Sequence, residues 1–280
     1  KLYGIESAGW GSPFLLCPEA TTVDDNTLQL LTAAKEGDIV LSKNSPLGVR
    51  FHYLKGNGAE KEKQLRISKG KPGSPCTEKH LVSNTEFTTE PICTASVKYQ
   101  KLKLAQLQTL NLPEHELLKQ KQDVLDKECL CVGLSNAAAK KYELPFLKRQ
   151  EEVTICPGPN MVYFNKQVSL QQMTDHIYGR TNIAAADRPH MFLKELELYV
   201  AYVKEMMTDV DAMPDAKKTK LINSFFKNLN EGIAYYESKL DVFFNAQQGK
   251  EKETFSNGLE KFKRELRGFI EMAGSQFCMN

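Results

Sequence analysis

Residues 214–244 read PDAKKTKLINSFFKNLNEGIAYYESKLDVFF, and the spacing of their apolar side chains decides the fold class. Leu221, Phe225, Leu229, Ile233, Tyr236, Leu240 and Phe243 recur every three or four residues. That period puts them on one stripe of an α-helix that Pro214 opens. The same spacing flanks the run on both sides. Phe192, Leu196, Tyr199, Val200 and Val203 predict a helix to about Met207, and Phe255, Leu259, Phe262, Leu266, Phe269 and Ile270 predict another from about Glu251. Three amphipathic helices with short joins predict an antiparallel helical bundle over residues 188–280. The aromatic residues Phe225, Phe226, Tyr235, Tyr236, Phe243 and Phe244 suit core packing or an oligomer interface rather than a cofactor or base-stacking surface.

Toward the N-terminus the texture changes, and residues 1–187 read as an irregular region rich in Gly, Pro and Cys. Phe14-Leu15-Leu16-Cys17, bracketed by Pro13 and Pro18, predicts a short buried strand. Thr22 or Asp24 caps a following helix that ends at Gly37, and Asp38-Ile39-Val40-Leu41-Ser42 predicts a second strand. Helices are expected over residues 59–69, 95–110, 113–127 and 135–142, and from the cap Ser169 to Tyr178 with a stop at Gly179. Val153-Thr154-Ile155-Cys156 predicts a buried strand that Pro157-Gly158-Pro159 ends. The expected fold is therefore α-rich α+β: a small strand-containing N-terminal part with a C-terminal antiparallel helical bundle.

Composition narrows the function classes. The 280 residues are 41% hydrophobic and 26% charged, a balance that supports a packed core. Their 37 basic and 35 acidic residues leave a net charge of +2, so neither nucleic acid nor a membrane surface is an expected partner. No apolar run approaches the roughly 20 residues of a membrane span, and no signal peptide is read at the start. Seven cysteines, an odd count, point to reduced thiols in the cytoplasm rather than a disulfide framework.

Three groups of residues carry candidate chemistry. Cys76, Cys93, Cys129, Cys131 and Cys156 offer thiolates to an iron–sulfur cluster or zinc. No C-x-x-C pair occurs among them, and ordinary buried thiols are the other reading. Gly9, Gly11 and Ser12, in Gly9-Trp10-Gly11-Ser12-Pro13, expose backbone suited to the phosphate of a cofactor, as do Lys71, Gly73 and Ser74. Neither segment has the spacing of a P-loop or a dinucleotide fingerprint, and each also reads as a structural turn. His176 and Arg180 lie in Asp175-His176-Ile177-Tyr178-Gly179-Arg180, where an acid–base or anion-holding role competes with ordinary capping of a helix C-terminus.

Gly11-Ser12-Pro13-Phe14-Leu15-Leu16, Pro18-Glu19-Ala20, the helix after them, Asp38-Ile39-Val40-Leu41-Ser42 and Pro46-Leu47-Gly48-Val49-Arg50 together resemble the C-terminal barrel segment of nitronate monooxygenases, the 2-nitropropane dioxygenase-like flavoproteins. The resemblance covers residues 9–51 and implies that Gly11 and Ser12 meet the phosphate of FMN. No position here matches the family's catalytic histidine, and a whole (β/α)₈ barrel is not expected because the eight strand–helix units are missing. The function expected on these grounds is a flavin-linked oxidoreductase, or the terminal part of one, acting on a small-molecule substrate. Two alternatives stand beside it: a cysteine-ligated iron–sulfur or zinc protein, and a non-enzymatic subunit that forms a homo- or hetero-oligomer through its C-terminal helices.

Overall fold

The computed structural model describes residues 11–144, 149, 151–164, 166–186, 188, 190–208, 216–244 and 248–273. Gly9, Trp10 and Cys278 lie outside the described residues. The chain divides into two compact units, Lys1–Asp187 and Arg188–Asn280. Helices dominate the described residues, and a two-stranded antiparallel sheet accompanies them, which makes the fold α-rich α+β.

The first unit opens on a 3-10 turn, Ser12–Leu16, where the sequence predicts a strand. Pro13 fixes a turn-compatible φ at its start, and the Phe14 N–H donates to the Gly11 carbonyl at 3.1 Å. This local bond closes the backbone without a partner strand while Leu16 and Cys17 are still buried. Helix α1 (Asp25–Ala33) is capped by Asp24, whose Oδ1 accepts from the Thr27 N–H at 3.3 Å. Strand β1 (Ile39–Ser42) pairs antiparallel with β2 (Phe51–Leu54), Ile39 facing Leu54 and Ser42 facing Phe51. Strand β2 has no counterpart in the sequence reading. Helix α2 (Gly58–Ser68) follows directly, capped by Asn57.

Helices α3 (Val97–Thr109) and α4 (Glu114–Leu125) lie where the periodicity predicts them. Helix α5 (Leu130–Lys141) begins well before its predicted start at Ser135. Gly133 sits inside α5, where a Cβ would stand 2.7 Å from Thr154 Oγ1 and only glycine leaves room for that approach. The segment Val153-Thr154-Ile155 is buried, but it joins no sheet. Its backbone bonds go to helices instead: Thr154 N–H donates to Gly133 O at 2.9 Å, and Ala59 N–H donates to Val153 O at 3.1 Å. A second 3-10 turn (Pro159–Tyr163) leads to α6 (Leu170–Ile177), which starts with a Ser169/Gln172 capping box and is followed by Gly179 at φ +73. Leu16, Leu31, Leu54, Val153, Met161 and Met173 belong to the core that joins these pieces.

The second unit contains α7 (Met191–Thr208), α8 (Ala216–Glu237), the short α9 (Leu240–Phe243) and α10 (Gly249–Ala273). Phe192 stacks on Tyr236 at 3.7 Å, whereas Tyr202, further along α7, meets Phe225, earlier in α8, at 5.4 Å. Helices α7 and α8 therefore run antiparallel. Leu196, Val203, Ile222, Ile233, Phe255, Leu259 and Leu266 fill the unit's own core. The predicted second helix breaks before Leu240, so Phe243 lies on α9 rather than on the α8 stripe. No helix among the described residues is long and apolar enough to cross a membrane.

Candidate functional site

Two interior ion networks organise the first unit. Glu128, just before α5 and 2% exposed, accepts three donors at Oε1: Lys63 Nζ at 2.8 Å, Tyr53 OH at 2.6 Å and Asn44 Nδ2 at 3.2 Å. Burial first, and then the Glu128 carboxylate, push the Tyr53 phenol far above its usual range. Glu152 pairs with Arg66 Nη1 at 2.5 Å and with Arg149 Nη1 at 3.2 Å. The second Nη of each guanidinium group has a different partner. Arg66 Nη2 donates to Ser74 Oγ at 3.1 Å, and Arg149 Nη2 donates to Cys129 Sγ at 3.5 Å. One chain of contacts thus ties the loop at Ser74 to the cysteine that caps α5. Neither carboxylate was singled out from the sequence, because the partners of each lie far apart along the chain; a charged residue beside an otherwise buried run was the only available signal.

The five candidate thiols divide into four and one. The Cys93 thiol is pushed up to about 11, first by burial, against the Ala95 N–H that its sulfur accepts, and then by the neighbouring thiols of Cys76, Cys129 and Cys131. Cys131 is also raised, again by burial first, while its sulfur accepts the backbone N–H groups of His80 and Leu81. Cys156 stands elsewhere: its sulfur accepts the His52 N–H of β2, and burial raises it. These five cysteines, like Cys17, are free thiols. No three His, Cys, Asp or Glu side chains among the described residues stand ready at the separation that holds a metal ion.

The two phosphate candidates differ. Gly73 adopts φ +87, and a Cβ on it would lie 2.7 Å from the Val97 backbone; Ser74 is buried and bonded to Arg66. Both residues are therefore occupied in packing the loop, while Lys71 beside them is exposed. Gly11 has a helical φ and ψ open to any residue, and a Cβ there would meet nothing within 4 Å. The fold itself places no demand for glycine at that position. Ser12 Oγ stands 3.7 Å from where a Cβ on Gly158 would lie, so the starts of the two 3-10 turns are side by side. Within the second turn, the buried Asn160 Oδ1 has no hydrogen-bond partner among the described residues.

His176 packs edge-on against Phe164, at the end of that second turn, with ring centroids 5.3 Å apart. Its Nδ1 accepts the Ile183 N–H at 3.4 Å. Arg180 is exposed and pairs with Asp175 at 2.5 Å, its guanidinium 5.0 Å from the Tyr178 ring. His176 and Arg180 thus close the end of α6, and only His176 adjoins the second turn. No protein family, curated protein or solved structure gives a match to this chain.

Proposed function

We propose that this chain belongs to a flavin-linked oxidoreductase and holds the phosphate of FMN at the paired turns of Gly11–Ser12 and Gly158–Pro159. The observation that carries the reading is the adjacency of two glycine-led turns, Ser12 Oγ lying 3.7 Å from where a Cβ on Gly158 would stand. Backbone amides at such turns suit an anionic oxygen. The resemblance of residues 9–51 to nitronate monooxygenases supports FMN as the ligand. When bound, FMN would supply the redox chemistry; the chain's own residues bind and orient it. His176, at the far end of the second turn, is the acid–base group this reading sets nearest, while Arg180 is a surface partner for the substrate. The free thiols support a reducing, cytoplasmic setting.

The test is a titration of the protein with FMN, followed by flavin fluorescence. Gly158 has φ −66 and ψ 148, so a side chain there is compatible with the backbone. Gly158→Val should leave the fold intact and weaken FMN binding about tenfold or more. Unchanged fluorescence with the unaltered protein, or equal affinity in the variant, would remove the reading.

A further inference from the structure

We propose that Cys76, Cys93, Cys129 and Cys131 bind one zinc ion as four thiolate ligands, with Arg149 balancing the charge of the site. Three separate segments bring these cysteines together. Ser74 is bridged to Ser96, the cap of α3: its N–H donates to Ala95 O at 2.9 Å and its carbonyl accepts from Val97 N–H at 3.1 Å. This pairing sets the chain leading to Cys76 alongside the one leaving Cys93. The amides of His80 and Leu81 then reach Cys131 on the first turn of α5. Arg149 reaches Cys129 at the cap of the same helix. The two sulfurs of the Cys129-Leu130-Cys131 pair are thereby tied to the loop that carries Cys76.

Donors already surround the sulfurs that a bound metal ion would convert to thiolates. Backbone N–H groups of Ala95, His80 and Leu81 and the Arg149 guanidinium all donate to sulfur. A neutral thiol is a weak acceptor, whereas a thiolate is a strong one. Hydrogen bonds of this kind orient and tune the sulfur ligands of metal sites. Four thiolates cannot share one small volume without a cation between them, because each disfavours the ionised form of the others. A divalent ion removes that conflict, and the thiol protons pass to solvent as it binds. Four thiolates around a divalent ion remain net negative, which Arg149 and the N-terminus of α5 offset.

The loop itself supplies the need for an ion. Between Ala59 and Cys93 no apolar side chain is buried, and residues 69–96 contain no helix or strand, only the isolated bridges Ser74↔Ser96 and Asn84↔Ile92. A segment of that length cannot hold its shape by hydrophobic burial alone. Closed tetrahedral zinc sites stabilise such segments outright. Lys79, just before the amides that meet Cys131, has φ +58, and Arg149 has φ +51. Each is a non-glycine residue held in an unfavourable conformation, a cost of about 1 kcal/mol or more that persists where surrounding interactions enforce it. Ligand groups in such a site come to full coordination distance as the ion binds.

The experiment is metal analysis of protein purified under reducing conditions without chelator, paired with cobalt(II) substitution. One zinc per chain is expected, with the visible bands of tetrahedral tetrathiolate cobalt in its place. Serine at any of Cys76, Cys93, Cys129 or Cys131 should abolish binding, while Cys156→Ser and Cys17→Ser should not. Arg149→Gln should weaken zinc binding about ten- to a hundredfold, and Arg149→Lys should recover part of that loss. A chain that takes up neither zinc nor tetrahedral cobalt overturns the proposal. Stoichiometric iron with sulfide, or zinc retained in Cys93→Ser, would do the same. Equal zinc affinity in Arg149→Gln would overturn the role of Arg149. If a serine variant fails to fold, the cobalt spectrum of the unaltered chain decides. None of these readouts uses FMN.

Discussion

Glu128 ties three segments of the first unit together, because one oxygen receives donors from β2, α2 and the segment after β1. Taking two charges out of water is costly, and further hydrogen bonds at both ends offset that cost: Lys63 also donates to Asp126 O at 3.1 Å. Removing one partner leaves the other charge buried. Lys63→Met should therefore cost about 3–5 kcal/mol in urea unfolding, and the double variant Lys63→Met/Glu128→Leu should recover much of it. A loss below about 1 kcal/mol, the range of exposed pairs, would contradict this account. His190 makes a second prediction. Its ring lies 4.3 Å from Phe255, and its Nδ1 accepts the Phe192 N–H at 3.2 Å at the start of α7. Burial first, and then Arg188, hold its pKa below the usual value. A depressed pKa means the neutral ring contributes stability that is fully present above about pH 6.5 and is lost as pH falls through the folded value. The Tm of the protein should drop between pH 7 and 5, and His190→Asn, which keeps an acceptor for Phe192, should flatten that drop.

Among the elements, the start of α2 is the tightest junction. A Cβ on Gly58 would stand 1.9 Å from the Glu151 carbonyl oxygen, a backbone atom that cannot swing aside. Gly58→Ala should cost about 3 kcal/mol, the upper end of overpacking, and chemical denaturation would measure it. The long helices were legible because Leu221, Phe225 and Ile233 repeat at helical spacing, and Ser169 and Gly179 mark the ends of α6. Short elements were not. Phe14-Leu15-Leu16-Cys17 has the composition of a strand but curls at Pro13, and Val153-Thr154-Ile155 is extended yet bonds to helices. In both, local apolar composition reports burial without reporting the hydrogen-bond partner. The cysteines were legible as a set, but what separates Cys156 from the other four is which segments pair across the fold. Arg149 had no sequence signature, and Glu152 had only its place beside a buried run, since their meaning comes from contacts with Cys129 and Arg66.

On the scale of the whole molecule, the chain carries two cores of different make. The first combines short elements with interior ion pairs and a loop poor in buried apolar groups. The second is a helical unit whose apolar stripes fill its own interior. Residues 188–280 made alone should be helical and melt cooperatively, and circular dichroism would read both; a disordered fragment would show that its core needs the rest of the chain. Phe255→Ala in that fragment should cost about 3–5 kcal/mol, because Phe255 is 1% exposed amid Phe192, Tyr236 and Phe244. The central functional claim, that two adjacent turns hold a flavin by its phosphate, is tested most directly by calorimetric titration with FMN and, separately, with riboflavin. The account predicts saturable binding of FMN and binding of riboflavin weaker by about tenfold or more. Equal affinity for the two, or no binding of either, would contradict it.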